Sequence, residues 1–248
     1  ALSAYSKGAT GEGVTIALVD SGVNPALPEF AGKISSSSQD VAGTRGMGDD
    51  DGHRTAVAAI LVAARNDADI QGVAFGASLL ALRADTPGSC TSVGLSSGCS
   101  YADNNIARSI DLAVANRARV INLSLGGSTP NATLRGAIDR ATAAGVIVIV
   151  AAGNSAAADP NGFALIATET ISRGLVIVAG GVNAAEQIAT FSNGGSNRAG
   201  AAAAHYLTAL ATDVRTFNEE GGIILASGTS YSAPAIAGAV ALLPQAFP

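Results

Sequence analysis

Charge is what this chain has least of. Asp, Glu, Lys and Arg make up 13% of its 248 residues, about half of the roughly 25% typical of globular proteins. Disorder needs high charge and few apolar residues; here 48% of the residues are hydrophobic, so the bulk of the chain folds. Lysine is nearly absent, with Lys7 and Lys33 the only two. The basic residues form no run and the net charge is −5. Nothing resembles the basic face that neutralises phosphates, which excludes nucleic acid as a partner. Long apolar runs are missing too. The best candidates, Gly145–Ala152 and Ala235–Leu243, fall short of the ~18 residues a membrane span requires. No direct membrane span is therefore expected in this chain. The length fits one domain with a large, Ala-rich interior.

Cysteine is also rare. Cys90 and Cys99 flank a Ser/Gly-rich stretch. Such a loop suits a local disulfide and an oxidising compartment; a pair of free thiols is the alternative, although free Cys prefers burial. The chain opens at Ala1-Leu2-Ser3-Ala4 without a signal peptide, so a mature or trimmed form of a longer product is expected.

What is present is a run of short β-rich apolar segments bounded by Gly, Asn or Asp: Val14–Val19, Leu79–Leu82, Val120–Leu123, Val146–Val150 and Leu175–Ala179. Continuous apolar character without alternation predicts strands buried on both faces, as in a parallel sheet. Helical patterns lie between them at Thr55–Ala64, Asn104–Asn116 and Ala132–Ala144, with a last helix over Ser230–Leu243. Alternating strand and helix predict an α/β domain of three layers, with a mainly parallel central sheet and helices on both faces. No repeat or linker divides residues 1–248. In such sheets function gathers at the carboxyl ends of the strands.

Several of those ends carry unusual residues. Asp20 follows the first strand directly, before Ser21-Gly22. His53, one of two histidines, stands at the start of a helix after Asp49, Asp50, Asp51 and Gly52. Ser230 opens the last helix within Gly228-Thr229-Ser230-Tyr231-Ser232-Ala233-Pro234. Taken singly these are a turn residue, a surface His and an N-cap. Together they form an Asp, His, Ser set. A hydroxyl is a weak nucleophile and needs a base to take its proton and a carboxylate to orient that base.

In this order the set resembles the subtilisin-like serine proteases, from about Gly11 to the C-terminus. Val19-Asp20-Ser21-Gly22 is similar to the family's aspartate motif, Gly52-His53-Arg54-Thr55 to its histidine motif and Gly228-Thr229-Ser230 to its serine motif. Ser124-Leu125-Gly126-Gly127 resembles the substrate-binding strand, and Ala151-Ala152-Gly153-Asn154 the oxyanion-hole segment. The resemblance implies a serine endopeptidase acting on proteins or peptides through an acyl-enzyme, with Asp20, His53 and Ser230 as the triad. Asn154 would bind the oxyanion with weak support from Thr229. Substrate would add as a strand between about Ser100–Asp103, including Tyr101, and Ser124–Gly126. Ser124, Leu125, Gly126, Ala152 and Gly153 would line the S1 pocket. That lining is neutral, and Ser155 replaces the acid often found after the oxyanion Asn, so a hydrophobic or neutral P1 residue is expected. The disulfide would stiffen the S2–S4 edge.

No cofactor is implied for catalysis. Glu29 and Asn66 occupy places similar to ligand positions of a structural calcium site, which wants six to eight oxygens in all. The C-terminal wording Ala241–Pro248 resembles passenger proteases of bacterial autotransporters. Only one helix follows Ser230, which implies a chain processed at its C-terminus from a longer precursor. A monomer, secreted or held at a bacterial cell surface, is expected. The chain departs from the family pattern at Arg54, where Gly usually follows the His, and at Ala56 and Ala59. A cation beside the base lowers its pKa unless Asp49, Asp50 and Asp51 offset it, so Arg54→Gly is expected to preserve or raise activity. Three other readings compete. An α/β-hydrolase orders its triad Ser, acid, His, whereas Ser230 comes last. A dinucleotide fold needs its Gly-rich turn after a strand, whereas Gly8–Gly13 precedes one. The third is a catalytically impaired subtilase used as a binding module.

Overall fold

The computed structural model describes residues 2–49, 53–66, 70–90 and 98–247. Its centre is a seven-stranded, wholly parallel sheet in the order β2-β3-β1-β4-β5-β6-β7. The strands are β1 (Thr15–Asp20), β2 (Gln39–Asp40), β3 (Ser78–Arg83), β4 (Val120–Leu123), β5 (Ile147–Ala151), β6 (Val176–Val182) and β7 (Tyr206–Leu210). A two-stranded antiparallel hairpin, β8 (Val214–Phe217) and β9 (Ile223–Ala226), stands apart from it.

Helices cover both faces, and the strand period of two sorts the side chains between them. Along β1, Ile16 and Leu18 point into one core, shared with α2 (His53–Val62) and α5 (Thr229–Ala246). Ala17 and Val19 point into the other, shared with α3 (Asp103–Ala115) and α4 (Ala132–Ala143). A short helix α1 (Leu2–Tyr5) precedes β1. Burial on both faces is why β1, β3 and β5 read as apolar runs and β4 as one broken only by Asn122. Among the described residues no helix is long and apolar enough to cross a membrane.

The five expected strands and four expected helices all form. Three features escaped the sequence pattern. The edge strand β7 and the hairpin strand β9 are largely exposed and so lack a buried run. β2 has only two residues. The last helix runs to Ala246 through Pro234 and Pro244. Pro234 lacks the N–H that would bond the carbonyl of residue 230, and that carbonyl takes the Ser124 hydroxyl instead, at 2.8 Å.

Candidate active site

The carboxyl ends of β1, β4 and β5 and the starts of α2 and α5 meet at one side of the sheet. A cleft of about 630 Å³ there is lined by His53, Arg54, Tyr101, Ser124, Leu125, Gly126, Asn154, Ser230 and Tyr231. Asn218, Glu219 and Ile224 of the β8–β9 hairpin close one flank; no sequence signal pointed to that flank.

Ser230 owes its place to Gly228. This residue has φ 149° and ψ 155°, a region open essentially to glycine alone. The turn aims the chain into α5 so that Ser230 sits in its first turn, where the helix dipole favours developing negative charge. The Ser230 hydroxyl donates to the Ser124 carbonyl at 3.2 Å, while the Ser124 hydroxyl donates to the Ser230 carbonyl. The fully buried Asn122 then donates to Ser124 Oγ at 2.9 Å. Ser230 and the strand end at Ser124 are thus locked in register by a reciprocal pair. Asn122 looked like an ordinary strand residue in sequence.

Asn154 is exposed to the cleft. Its Oδ1 accepts from Thr229 N at 2.8 Å and from Thr229 Oγ1 at 2.9 Å. These two hydrogen bonds aim the amide NH₂ away from Thr229. Thr229 is fully buried and also accepts from Gly153 N at 3.2 Å. Its place is behind Asn154, as a support. A second support was missed in the sequence. Asn193, 3% exposed, accepts from Ser155 N, Ser155 Oγ and Ala157 N at 2.9–3.0 Å. Gly153 has φ 107°, and a Cβ there would lie 2.4 Å from Asn193 Nδ2, so the turn that presents Asn154 requires glycine on both counts.

His53 stacks in a tilted geometry on Tyr231, ring centroids 5.2 Å apart. Asp20 ends β1 and is 1% exposed. Its Oδ1 accepts from Ser21 N at 3.0 Å, from Tyr101 OH at 2.6 Å and from Arg54 Nε. Its Oδ2 is buried and has no partner among the described residues. The Arg54 guanidinium also donates to Tyr101 OH and lies 5.7 Å from that ring's centre. Burial, then the Asp20 charge, pushes the Tyr101 phenol far above its ordinary value. Arg54 is therefore engaged with the buried carboxylate and Tyr101. Asp49 caps α2 through Thr55 N at 2.7 Å; Asp50, Asp51 and Gly52 lie outside the described residues.

Of the expected substrate wall, Ser124, Leu125 and Gly126 face the cleft. Gly126 keeps it flat, because a Cβ would meet Asn161 Nδ2 at 2.7 Å. Ala152 is fully buried, its amide bonded to Ala179 and its carbonyl to Asn161. Gly153 gives its amide to Thr229 and its carbonyl to Asn193. Ser100, Tyr101, Leu125 and Gly126 also border an adjoining cavity of about 300 Å³ that reaches Asp103. Asp103 starts α3 and accepts from Asn131 N at 2.7 Å.

Cys90 and Cys99 are joined in a disulfide; residues 91–97 lie outside the described set. The bridge sits beside the antiparallel pairing of Asp85 with Tyr101, at the root of the expected S2–S4 edge. Asp85 and the two cysteines are the only cluster of metal-type ligands among the described residues, and the disulfide removes its thiolates. Glu29 and Asn66 do come together, with Asn66 Nδ2 at 3.2 Å from both Glu29 oxygens. These side chains supply a small part of the six to eight oxygens calcium takes, and residues 67–69 of the adjoining loop are not described.

The likeness to known proteins extends along the whole chain. The model of the subtilase family matches residues 11–248. Subtilisin Savinase of Lederbergia lenta is 32% identical over 248 residues, covering 99% of this chain and 81% of that protein. Subtilisin E of Bacillus subtilis (strain 168) is 32% identical over 96% of this chain, which spans only 57% of its length. A cold adapted subtilisin-like serine proteinase superposes with a TM-score of 0.75 at 26% identity, covering 96% of this chain and 77% of that one. The prenylagaramide maturation protease PagA shares the fold, with a TM-score of 0.78 at 23% identity, over 98% of this chain and 78% of its own. An Asp, His and Ser at the strand and helix ends of one parallel sheet, and a family match over nearly the full length, make the chain a member of the subtilase family, the subtilisin-like serine endopeptidases.

Proposed function

We propose that this chain is an active serine endopeptidase that cleaves peptide bonds through an acyl-enzyme formed on Ser230. The observation that carries the reading is the convergence of His53, Ser230, Asn154 and the Ser124–Gly126 strand end on one cleft, with Asp20 buried behind it. Substrate adds as a strand along Ser124–Gly126, and a substrate backbone N–H replaces the Ser230 hydroxyl as donor to the Ser124 carbonyl. His53 takes the hydroxyl proton as Oγ attacks. Asp20, through Oδ2, orients the imidazole and stabilises its cation. Asn154 Nδ2 and the Ser230 amide hold the oxyanion. His53 then returns the proton to the leaving amine, and water repeats the cycle on the acyl-enzyme.

The Ser124–Gly126 wall is uncharged, which favours a hydrophobic or neutral P1 residue. The disulfide belongs to an oxidising compartment, in keeping with a secreted or surface-held protease. The proposed steps use side chains and backbone amides, and calcium held by Glu29 and Asn66 would act on stability.

A fluorophosphonate probe tests the reading. Labelling of the folded protein at Ser230, abolished in Ser230→Ala, is the expected result, with kcat falling on the order of a million-fold in that variant, a magnitude taken from subtilisin. A folded protein that resists the probe would refute it. The reading left standing would then be a catalytically impaired subtilase serving as a binding module.

A further inference from the structure

The triad as a sequence motif says nothing about what holds the carboxylate. In this structure the Asp20 carboxylate is lopsided. Three donors converge on Oδ1, from Ser21, Tyr101 and Arg54, and none among the described residues reaches Oδ2. A carboxylate oxygen has two lone pairs, so Oδ1 is filled. The only acceptor left on Asp20 is Oδ2. Arg54 is itself 4% exposed, and a buried guanidinium persists only when paired. Its Nε is spent on Asp20 and its Nη2 on Tyr101. Tyr101 in turn belongs to the segment expected to bind substrate, tied by its backbone to Asp85.

We propose that Arg54 and Tyr101 are positioning residues of the active site: together they pin Asp20 Oδ1, so that Oδ2 is the oxygen presented to His53, and they connect the carboxylate to the substrate-binding edge. The inference rests on the endopeptidase reading and deepens it. It keeps the direction in which the sequence reading had Arg54 shift the His53 pKa, and departs from it in giving Arg54 a positive role where Arg54→Gly was expected to preserve or raise activity.

The pairing has a consequence that a merely structural salt bridge would lack. Arg54 offsets the Asp20 charge, which weakens the carboxylate's stabilisation of the imidazolium form. The Tyr101 hydroxyl acts in the same direction, because it draws carboxylate charge into a hydrogen bond. His53 therefore stays an unprotonated base at lower pH than it would without them. The other titratable groups around His53 among the described residues are Asp49 at the start of α2, Glu219 on the hairpin and Tyr231 on α5. None of these changes in the variants below.

The chain has only two histidines, His53 and His205, so proton NMR resolves their titrations. These are followed in a Ser230→Ala background, where no turnover interferes. Arg54→Gln is expected to raise the His53 midpoint by about one pH unit. Tyr101→Phe, which keeps the ring and deletes the hydroxyl, raises it by less, and His205 stays put as the internal control. Arg54→Lys keeps the charge without the fork and stays close to the parent. In the active enzyme Arg54→Gln moves the acid limb of kcat/KM upward by the same amount, so that activity well below the midpoint drops about tenfold. If neither Arg54→Gln nor Tyr101→Phe moves the His53 titration, the proposal fails, and Tyr101→Phe alone decides should Arg54→Gln not fold. A parent enzyme that neither turns over peptide nor reacts with the probe overturns the endopeptidase reading instead, while the titrations still decide whether Arg54 and Tyr101 act on His53.

Discussion

Removing the Thr229 hydroxyl tests whether Asn154 is held in place or merely located nearby. Thr229→Val keeps the side-chain shape, and the site lies at a helix start where a β-branched residue is already accommodated. The change deletes a 2.9 Å bond to Asn154 Oδ1 and the acceptor for Gly153 N. The 2.8 Å bond from Thr229 N to the same oxygen remains. Asn154 therefore keeps one of its two tethers. One neutral hydrogen bond nets about 1 kcal/mol, so kcat should fall roughly three- to tenfold with KM unchanged, because only the transition state carries the oxyanion. The stranded Gly153 N–H should cost a further ~1–3 kcal/mol of stability, visible as a lower Tm. Deleting the Asn154 amide outright with Asn154→Ala should cost roughly 100- to 1000-fold in kcat, a magnitude that comes from a subtilisin itself. The decisive assay is the double-mutant cycle on a peptide anilide. If Thr229 works only by aiming Asn154, Thr229→Val has no further effect on kcat in the Asn154→Ala background. An equal loss in both backgrounds would refute the reasoning and give Thr229 a separate role.

Two further predictions follow from contacts away from the nucleophile. Burial pushes the Asp40 carboxyl up, but the Arg45 side chain and the amides of Arg45 and Ala42 outweigh it and hold the pKa at about 2. A depressed carboxyl stabilises the fold above its unfolded pKa, and that stability is lost as pH falls through the folded one. Asp40→Asn should then cost about 2 kcal/mol near neutrality, with the gap to the parent closing between about pH 4 and pH 2 in urea titrations; a gap independent of pH would count against this. Reduction of Cys90–Cys99 should raise KM for substrates long enough to fill the S2–S4 edge and leave a short P1 ester unaffected, since the bridge lies beside the Asp85–Tyr101 pairing; identical kinetics on both substrates before and after reduction would show that the edge does not depend on it.

Much of the molecule was legible in the residues themselves. Strands buried on two faces are mostly apolar, so β1, β3, β4 and β5 announced a parallel sheet, and alternation with helical patterns announced its two covering layers. Asp20, His53, Ser230 and Asn154 stood out because polar residues break those apolar runs at the ends of strands and the starts of helices. The exposed β7 and β9 were not legible, because a half-solvated strand has no compositional cost to betray it. Nor were the supports. Asn122, Asn161 and Asn193 read as strand or loop residues, and their roles exist only where distant segments meet: residue 193 under the turn at 153–157, residue 122 beneath the pairing of 124 with 230. Arg54 shows the division best. Sequence alone placed a cation one residue from His53, and adjacency along the chain made it look like an intrusion. Neighbouring residues on a helix point to different sides, however, and only the tertiary structure could turn that side chain onto Asp20 and Tyr101. Chain order determines which chemical groups are available and which elements carry them. The packing of elements far apart in sequence decides which lone pair each donor fills, because a hydrogen bond depends on direction and distance in space.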